Sequence, residues 1–302
     1  MCGIVGLFAK SPSVEERLGE HLGAMLGQMC DRGPDSAGVA FYRNPARDGA
    51  CKVSVFSPDP AYPWTGLAAE LATEFGCDPE PDIRASHAVL VADAEANLLQ
   101  GWFAERHPEL QVMSAGKSIE LFKEMGRPDS FVERFGLNDI QASHGLGHTR
   151  MATESRVTTE HSHPYSTGLD LCLVHNGSLS NHNRLRRELR QHGIAFRTDN
   201  DTEVAAGYLT WRMSQGASLE AALEGCLRDL DGFYTFLVGT AEGFAVLRDP
   251  IACKPAVMAE TDDWVAMASE YRAIATLPGA ADAVMWEPEP ARIYSWEREL
   301  VS

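Results

Sequence analysis

Cys2 stands directly behind Met1 and opens the run Cys2, Gly3, Ile4, Val5, Gly6. Loss of Met1 would leave a thiol and a free α-amine on one residue. A thiol has a reference pKa of about 8.5 and an α-amine one of about 7.7 to 8.0, so the amine can serve as the thiol's general base. That is the arrangement of an N-terminal nucleophile. A lone cysteine is more often a small buried hydrophobe at the start of a strand. Chemistry at Cys2 therefore needs support from elsewhere in the chain.

Three segments supply it. His175, Asn176 and Gly177 follow the apolar stretch LDLCLV at 169–174. At a strand end, the Asn176 amide and the Gly177 backbone N–H could both donate to a developing oxyanion; alternatively, Asn-Gly is a simple turn. Arg150 lies in GHTRMAT at 147–153, after another apolar run. Its planar guanidinium suits a carboxylate, or else a structural ion pair. Asp201 precedes the helical stretch TEVAAGYLTW, where it could cap the helix and also face an ammonium. Nucleophile, oxyanion donors, cation and anion together meet the needs of hydrolysing the side-chain amide of a free amino acid such as glutamine.

The elements that must position these residues follow from apolar periodicity. Residues 3–8 read as a buried strand, 14–30 as a helix, 31–35 as a turn and 39–42 as a strand. The region 50–142 is the least interpretable, with one short helical stretch within 57–82. Strands are predicted at 144–150 and 169–175, helices at 181–191 and 202–214, and short strands with turns over 232–298. Strands and helices do not alternate regularly, which disfavours a doubly wound parallel sheet.

The net charge of −17 argues against a general hold on nucleic acid or anionic lipid. Seven cysteines without a C-x-x-C pair indicate neither a disulfide framework nor a structural zinc site. The N-terminus does not read as a signal peptide, and no apolar run reaches the roughly 20 residues of a bilayer span. The expectation is a soluble cytoplasmic protein. Six of the ten histidines (144, 148, 161, 163, 175 and 182) fall close together and raise a metal site as a rival, although H-E-x-x-H and finger spacings are missing. Gly145 and Gly147 do not extend to a dinucleotide fingerprint, because Arg150 occupies the third glycine's place.

Taken in order, CGIVG (2–6), DRGPDSAG (31–38), GHTRMAT (147–153), HPY (163–165), HNG (175–177) and DTE (201–203) resemble the class II glutamine amidotransferases. LRDPIACKP (247–255) and ASEYRAI (268–274) resemble the closing portion of that domain, or equally a pair of turns closing a sheet. The resemblance implies an α+β fold: a four-layer αββα N-terminal nucleophile hydrolase sandwich of two antiparallel sheets flanked by helices. It implies one domain over 2–302 with an insertion within 50–142. It further implies Cys2 as nucleophile, Asn176 and Gly177 as oxyanion hole, Arg150 and Asp201 as glutamine anchors, Thr153 as a contact near the carboxylate, and Arg32 ordering the loop over Cys2. Met151, Glu154 and Ser155 depart from the tryptophan and histidine common around the arginine, which alters the pocket wall.

The implied reaction converts L-glutamine to glutamate and ammonia through a Cys2 glutamyl thioester. No cofactor or metal is expected in this chain. An acceptor for the ammonia is expected on a separate synthase subunit, as in glutamate-synthase-like and N-methylglutamate-synthase-like complexes, so the chain is expected to be part of a hetero-oligomer. Any flavin or iron–sulfur cluster would belong to that partner. The alternatives are a non-catalytic glutamine-sensing or scaffold subunit and a stand-alone N-terminal nucleophile amidase.

Overall fold

The computed structural model describes residues 2–76, 80–151 and 156–298. Its first half contains β1 (Gly3–Ala9), α1 (Pro12–Glu15), α2 (Leu18–Gly27), β2 (Ser36–Tyr42), β3 (Cys51–Phe56), α3 (Trp64–Phe75), β4 (Asp82–Arg84), β5 (His87–Ala92), α4 (Ala96–Arg106), β6 (Gln111–Gly116), β7 (Ile119–Met125), α5 (Pro128–Arg134) and β8 (His144–Arg150). The second half contains β9 (Tyr165–Gly168), β10 (Leu171–Leu179), α6 (His182–Gln191), α7 (Asp201–Ser214), α8 (Leu219–Asp229), β11 (Gly232–Gly239), β12 (Gly243–Arg248), β13 (Val257–Glu260), β14 (Trp264–Ala268), α9 (Tyr271–Ile274), β15 (Val284–Trp286) and β16 (Ile293–Glu297).

Alternation along β1 explains the layering. Val5 and Leu7 pack with Leu22, Met25 and Leu26 of α2, whereas Ile4 and Phe8 pack with Leu237, Phe244 and Val246 of a second sheet. A Cβ on Gly6 would lie 2.5 Å from Leu237, so glycine lets the two sheets close. On the far face of the second sheet, Leu173, Phe236 and Val238 bury Leu185, Val204, Leu209 and Leu223 of α6 to α8. Helices, sheet, sheet and helices make the αββα sandwich. The sheets run β15-β13-β14-β1-β8-β2-β7 and β16-β12-β11-β10-β9, with antiparallel neighbours throughout.

Three expectations change. The helix read over 14–30 is two helices, broken at Glu16 and Arg17. Between Cys51 and Gly116 the chain builds a third sheet, β4-β5-β3-β6, that two-sheet reasoning did not contain. Val53, Val55, Leu71, Leu90 and Leu99 give it a separate apolar core under α3 and α4. Finally, β7 pairs with β2 along its whole length, so the end of the region 50–142 belongs to the sandwich. The apolar residues of β7 are interrupted by Lys123, which hides the strand pattern in the sequence.

Candidate functional site

Adjacent central strands bring the expected nucleophile and carboxylate anchor to one end of a sheet. β1 pairs with β8 so that Gly3 faces Thr149, leaving Cys2 and Arg150 one step further along their strands. The loop carrying Arg32 lies across this end. A Cβ on Gly33 would sit 2.4 Å from the Thr149 carbonyl carbon, so only glycine permits the approach, and the Asp35 N–H donates to the Arg150 carbonyl at 3.1 Å. Arg32 Nε donates to the Cys2 carbonyl at 3.0 Å while Nη1 pairs with Glu270 of the ASEYRAI segment. Arg150 is buried and donates from Nη1 to the Arg156 carbonyl at 3.0 Å. Thr153 lies outside the described residues.

The other sheet contributes from the opposite side. Asn176 Nδ2 donates to the Cys2 carbonyl at 3.3 Å, crossing from β10 to β1. Asn176 and Gly177 are neither a turn nor a strand end: β10 continues to Leu179, pairing Asn176 with Thr235 and Gly177 with Tyr234. The partner strand β11 continues the ladder, which overrides the local turn preference of Asn-Gly. Gly177 has φ of +152°, and a Cβ there would lie 2.0 Å from the Phe233 carbonyl oxygen.

Asp201 also differs from expectation. The cap of α7 is Asn200, whose side chain accepts from the Thr202 N–H at 2.8 Å. Asp201 is the first helical residue, and its carboxylate accepts from the Leu179 N–H at 2.9 Å and lies 3.7 Å from His175 Nδ1. Burial alone would raise its pKa, but the His175 ring, the Leu179 N–H and nearby His182 together hold the carboxyl below the usual range. It therefore ties α7 to β10 just past Asn176.

Behind these residues lies a buried imidazole network that residue types alone did not assign a place. His148 of β8 hydrogen-bonds through Nε2 to the His175 carbonyl at 3.0 Å, stitching one sheet to the other. His163 stacks on His148 with ring centres 3.9 Å apart. Thr202 Oγ1 lies 3.0 Å from His175 Nδ1 and 3.4 Å from His163 Nε2. Burial pushes His148 down to about 3 and His163 well below the usual histidine value. His148 and His163, kept neutral by burial, connect the strand of Arg150, the strand of Asn176 and the helix of Asp201. The six clustered histidines do not converge on a metal: His144 bonds the Thr240 carbonyl, His161 lies beside Asp199 and His182 bonds the Leu179 carbonyl. Among the described residues no group of three His, Cys, Asp or Glu is arranged to hold a metal ion.

Lys123 supports that network and was missed in the sequence. Its Nζ donates to the carbonyls of Glu160, Ser162 and Pro164 at 3.2, 2.9 and 3.2 Å, clamping the loop that carries His163. Across β2, a Cβ on Gly38 would lie 2.0 Å from the His163 carbonyl oxygen. Burial lowers the Lys123 ammonium to about 7. The signal available in the sequence was the lysine inside the run IELFKEM. The segment LRDPIACKP closes a sheet: Arg248 donates to the carbonyls of Ala252, Lys254 and Pro288, and buried Asp249 accepts from the Tyr234 N–H.

Comparison with known proteins identifies relatives of this arrangement. A family model described as a glutamine amidotransferase domain matches residues 148–276. The glutamine amidotransferase-like protein GlxB of Rhizobium meliloti is 55% identical over 301 residues, covering 99% of each chain. The glutamine–fructose-6-phosphate aminotransferase of Idiomarina loihiensis is 32% identical over 127 residues, 42% of this chain and 21% of that one. Among solved structures, the glutamine phosphoribosylpyrophosphate amidotransferase of B. subtilis superposes on 99% of this chain with a TM-score of 0.57 at 20% identity, a likeness of fold. This chain spans about half the length of that structure.

Proposed function

Since this chain belongs to the class II glutamine amidotransferase family, we propose that it hydrolyses L-glutamine through a glutamyl thioester on Cys2 and passes the ammonia to an acceptor site on a separate subunit. The reading rests above all on one contact: Asn176, from the second sheet, reaches the backbone of Cys2, with Arg32 on the same carbonyl.

In the proposed mechanism, removal of Met1 frees the α-amine of Cys2, which takes the thiol proton. The thiolate attacks the amide carbon of glutamine, and the oxygen's charge is held by the Asn176 amide and the Gly177 N–H. Collapse breaks the C–N bond, the amine returns a proton, and ammonia leaves a thioester. Water, deprotonated by the same amine, then releases glutamate and restores the thiol. Arg150 holds the α-carboxylate by charge-assisted hydrogen bonds and Asp201 attracts the α-ammonium. Arg32 fixes Cys2 through its carbonyl and is a positioning residue.

A separate acceptor is supported by the end-to-end match to a relative of equal length, against a match to one fifth of the fructose-6-phosphate aminotransferase. Mass spectrometry of the purified N-terminus, with a glutamate-release assay on wild type and Cys2→Ala, tests the reading. Loss of Met1 and Cys2-dependent glutamate release are expected. Retained Met1 without turnover, but with glutamine binding, would favour a sensing subunit, and turnover of other amides in preference to glutamine would favour a stand-alone amidase.

A further inference from the structure

We propose that an arginine-lined groove between α6 and residues 196–199 docks a short acidic segment of a partner protein, and that docking acts on the Asp201 end of α7. The second half rests on the reading of Asp201 as a glutamine anchor, whereas the first does not.

The chain carries 43 acidic residues against 26 lysines and arginines. Against that background, Arg186, Arg187, Arg190 and Arg197 line one open groove of about 470 Å³ whose single carboxylate is Asp199. Asp199 lies 3.1 Å from His161, which draws on its charge whenever that ring is protonated. Positions 183, 186, 187 and 190 recur at helical spacing and form one stripe of α6, about 10 Å long at 1.5 Å per residue. Arg187 and Arg190 are exposed and, among the described residues, have no carboxylate within ion-pairing distance.

Arg186 makes the floor rigid. It is buried, with Nη1 on Asn183 Oδ1 at 2.8 Å and Nη2 on the Asn200 carbonyl at 3.0 Å, while its Nε is buried without a hydrogen-bond partner. Planar guanidinium forks favour carboxylates and phosphates. Here Arg186, Arg187 and Arg190 lie along α6 and Arg197 on the opposite wall, which suits a row of carboxylates better than one phosphate. A long polyanion would run on to the acidic remainder of the surface, and a short acidic segment would not.

Both walls of the groove are fastened to the first turn of α7. Arg186 holds the carbonyl of Asn200, whose side chain caps α7 one residue before Asp201. Opposite, Glu203 accepts from the N–H groups of Arg197 and Thr198, each at 2.8 Å. A segment bridging α6 to residues 196–199 would therefore steady the helix start that carries Asp201 and tighten glutamine binding when the partner is present.

The experiment uses a fluorescein-labelled peptide of alternating Glu and Gly at fixed ionic strength, with the Gln/Gly peptide, inorganic phosphate and oligothymidylate as competitors. Binding by the acidic peptide, weakened at least tenfold by R187E with R190E but unchanged by R127E with R292E, is expected. Equal loss in the two double variants, or competition by phosphate or oligothymidylate as strong as by unlabelled acidic peptide, overturns the docking site. The same peptide should lower KM for glutamine at least twofold in wild type and leave R187E/R190E unmoved; binding with no change in KM overturns the coupling. Absence of Cys2-dependent turnover refutes the glutaminase reading and leaves the anisotropy result to decide the docking site by itself.

Discussion

The sandwich and the third sheet are built from the same antiparallel pairing, yet they bury different things. Under α3 and α4, the third sheet hides an apolar cluster of Val53, Val55, Leu71, Leu90 and Leu99. Between the two large sheets, the region next to Cys2 hides His148, His163, His175, Asn176, Arg150 and Thr202, each within 5% of full burial. An apolar core needs residues of suitable volume, and many combinations satisfy it. A buried polar network is costly unless its members are partnered, so it demands particular residues in particular orientations. Polar specificity is thus concentrated where Cys2, Arg150 and Asn176 meet, whereas the third sheet is apolar on its α3 and α4 face and keeps its few buried polar groups, such as Lys52 paired with Glu120, elsewhere.

That contrast can be broken by experiment. Cys2→Ala should lower glutamate release by roughly 10³-fold or more while the melting temperature stays put, since loss of a nucleophile removes the chemical step and little packing. Retained turnover would remove the sandwich site from consideration. In the third sheet, Leu90→Ala should cost about 2 to 5 kcal/mol in urea unfolding and leave kcat of the folded fraction unchanged. A large fall in kcat at full folding would show that the two regions are not energetically separate.

Arg150→Ala should raise KM for glutamine by about 10- to 100-fold, the loss of a charge-assisted contact, with a smaller change in kcat. Steady-state kinetics over a wide glutamine range would check it, and an unchanged KM would deny Arg150 its role. The smallest effect concerns protons. His148 and His87 are each held down at about 3 by burial, and His144 at about 4, against an unfolded value near 6.5. The unfolded chain therefore binds more protons between those limits, and stability should fall as pH drops below about 6.5. Replacing His87, in β5 of the third sheet, by Phe should flatten this slope by about one proton, roughly 1.4 kcal/mol per pH unit, without touching glutamine turnover. His148→Asn should flatten it similarly and also slow turnover, because His148 joins the sheet of Cys2 to the sheet of Asn176. Equal turnover in the two variants would dissolve the distinction.

Much of the sandwich was legible. β1, β8, α6 and α7 lie within two residues of their expected bounds: β1 is a continuous apolar run, and α6 places Leu185 and Leu189 one turn apart. The third sheet was not: β4 is three residues long, and β3 and β6 pair across more than fifty positions, which local pattern cannot register. Lys123 was illegible for a related reason. Its value comes from the carbonyls of Glu160, Ser162 and Pro164, and nothing in the strand IELFKEM points to them.

Residue types alone determined that a thiol could share its residue with an amine, that amide donors and a paired cation and anion were available, and that the chain carries a net charge of −17. These are properties of side chains, and they survive unfolding. Only the tertiary structure decided that Asn176 sits inside a paired strand, that Asn200 and not Asp201 caps α7, and that imidazoles kept neutral by burial join the two sheets behind Cys2. Strand register and burial set those outcomes, and both arise from contacts between residues far apart in the chain.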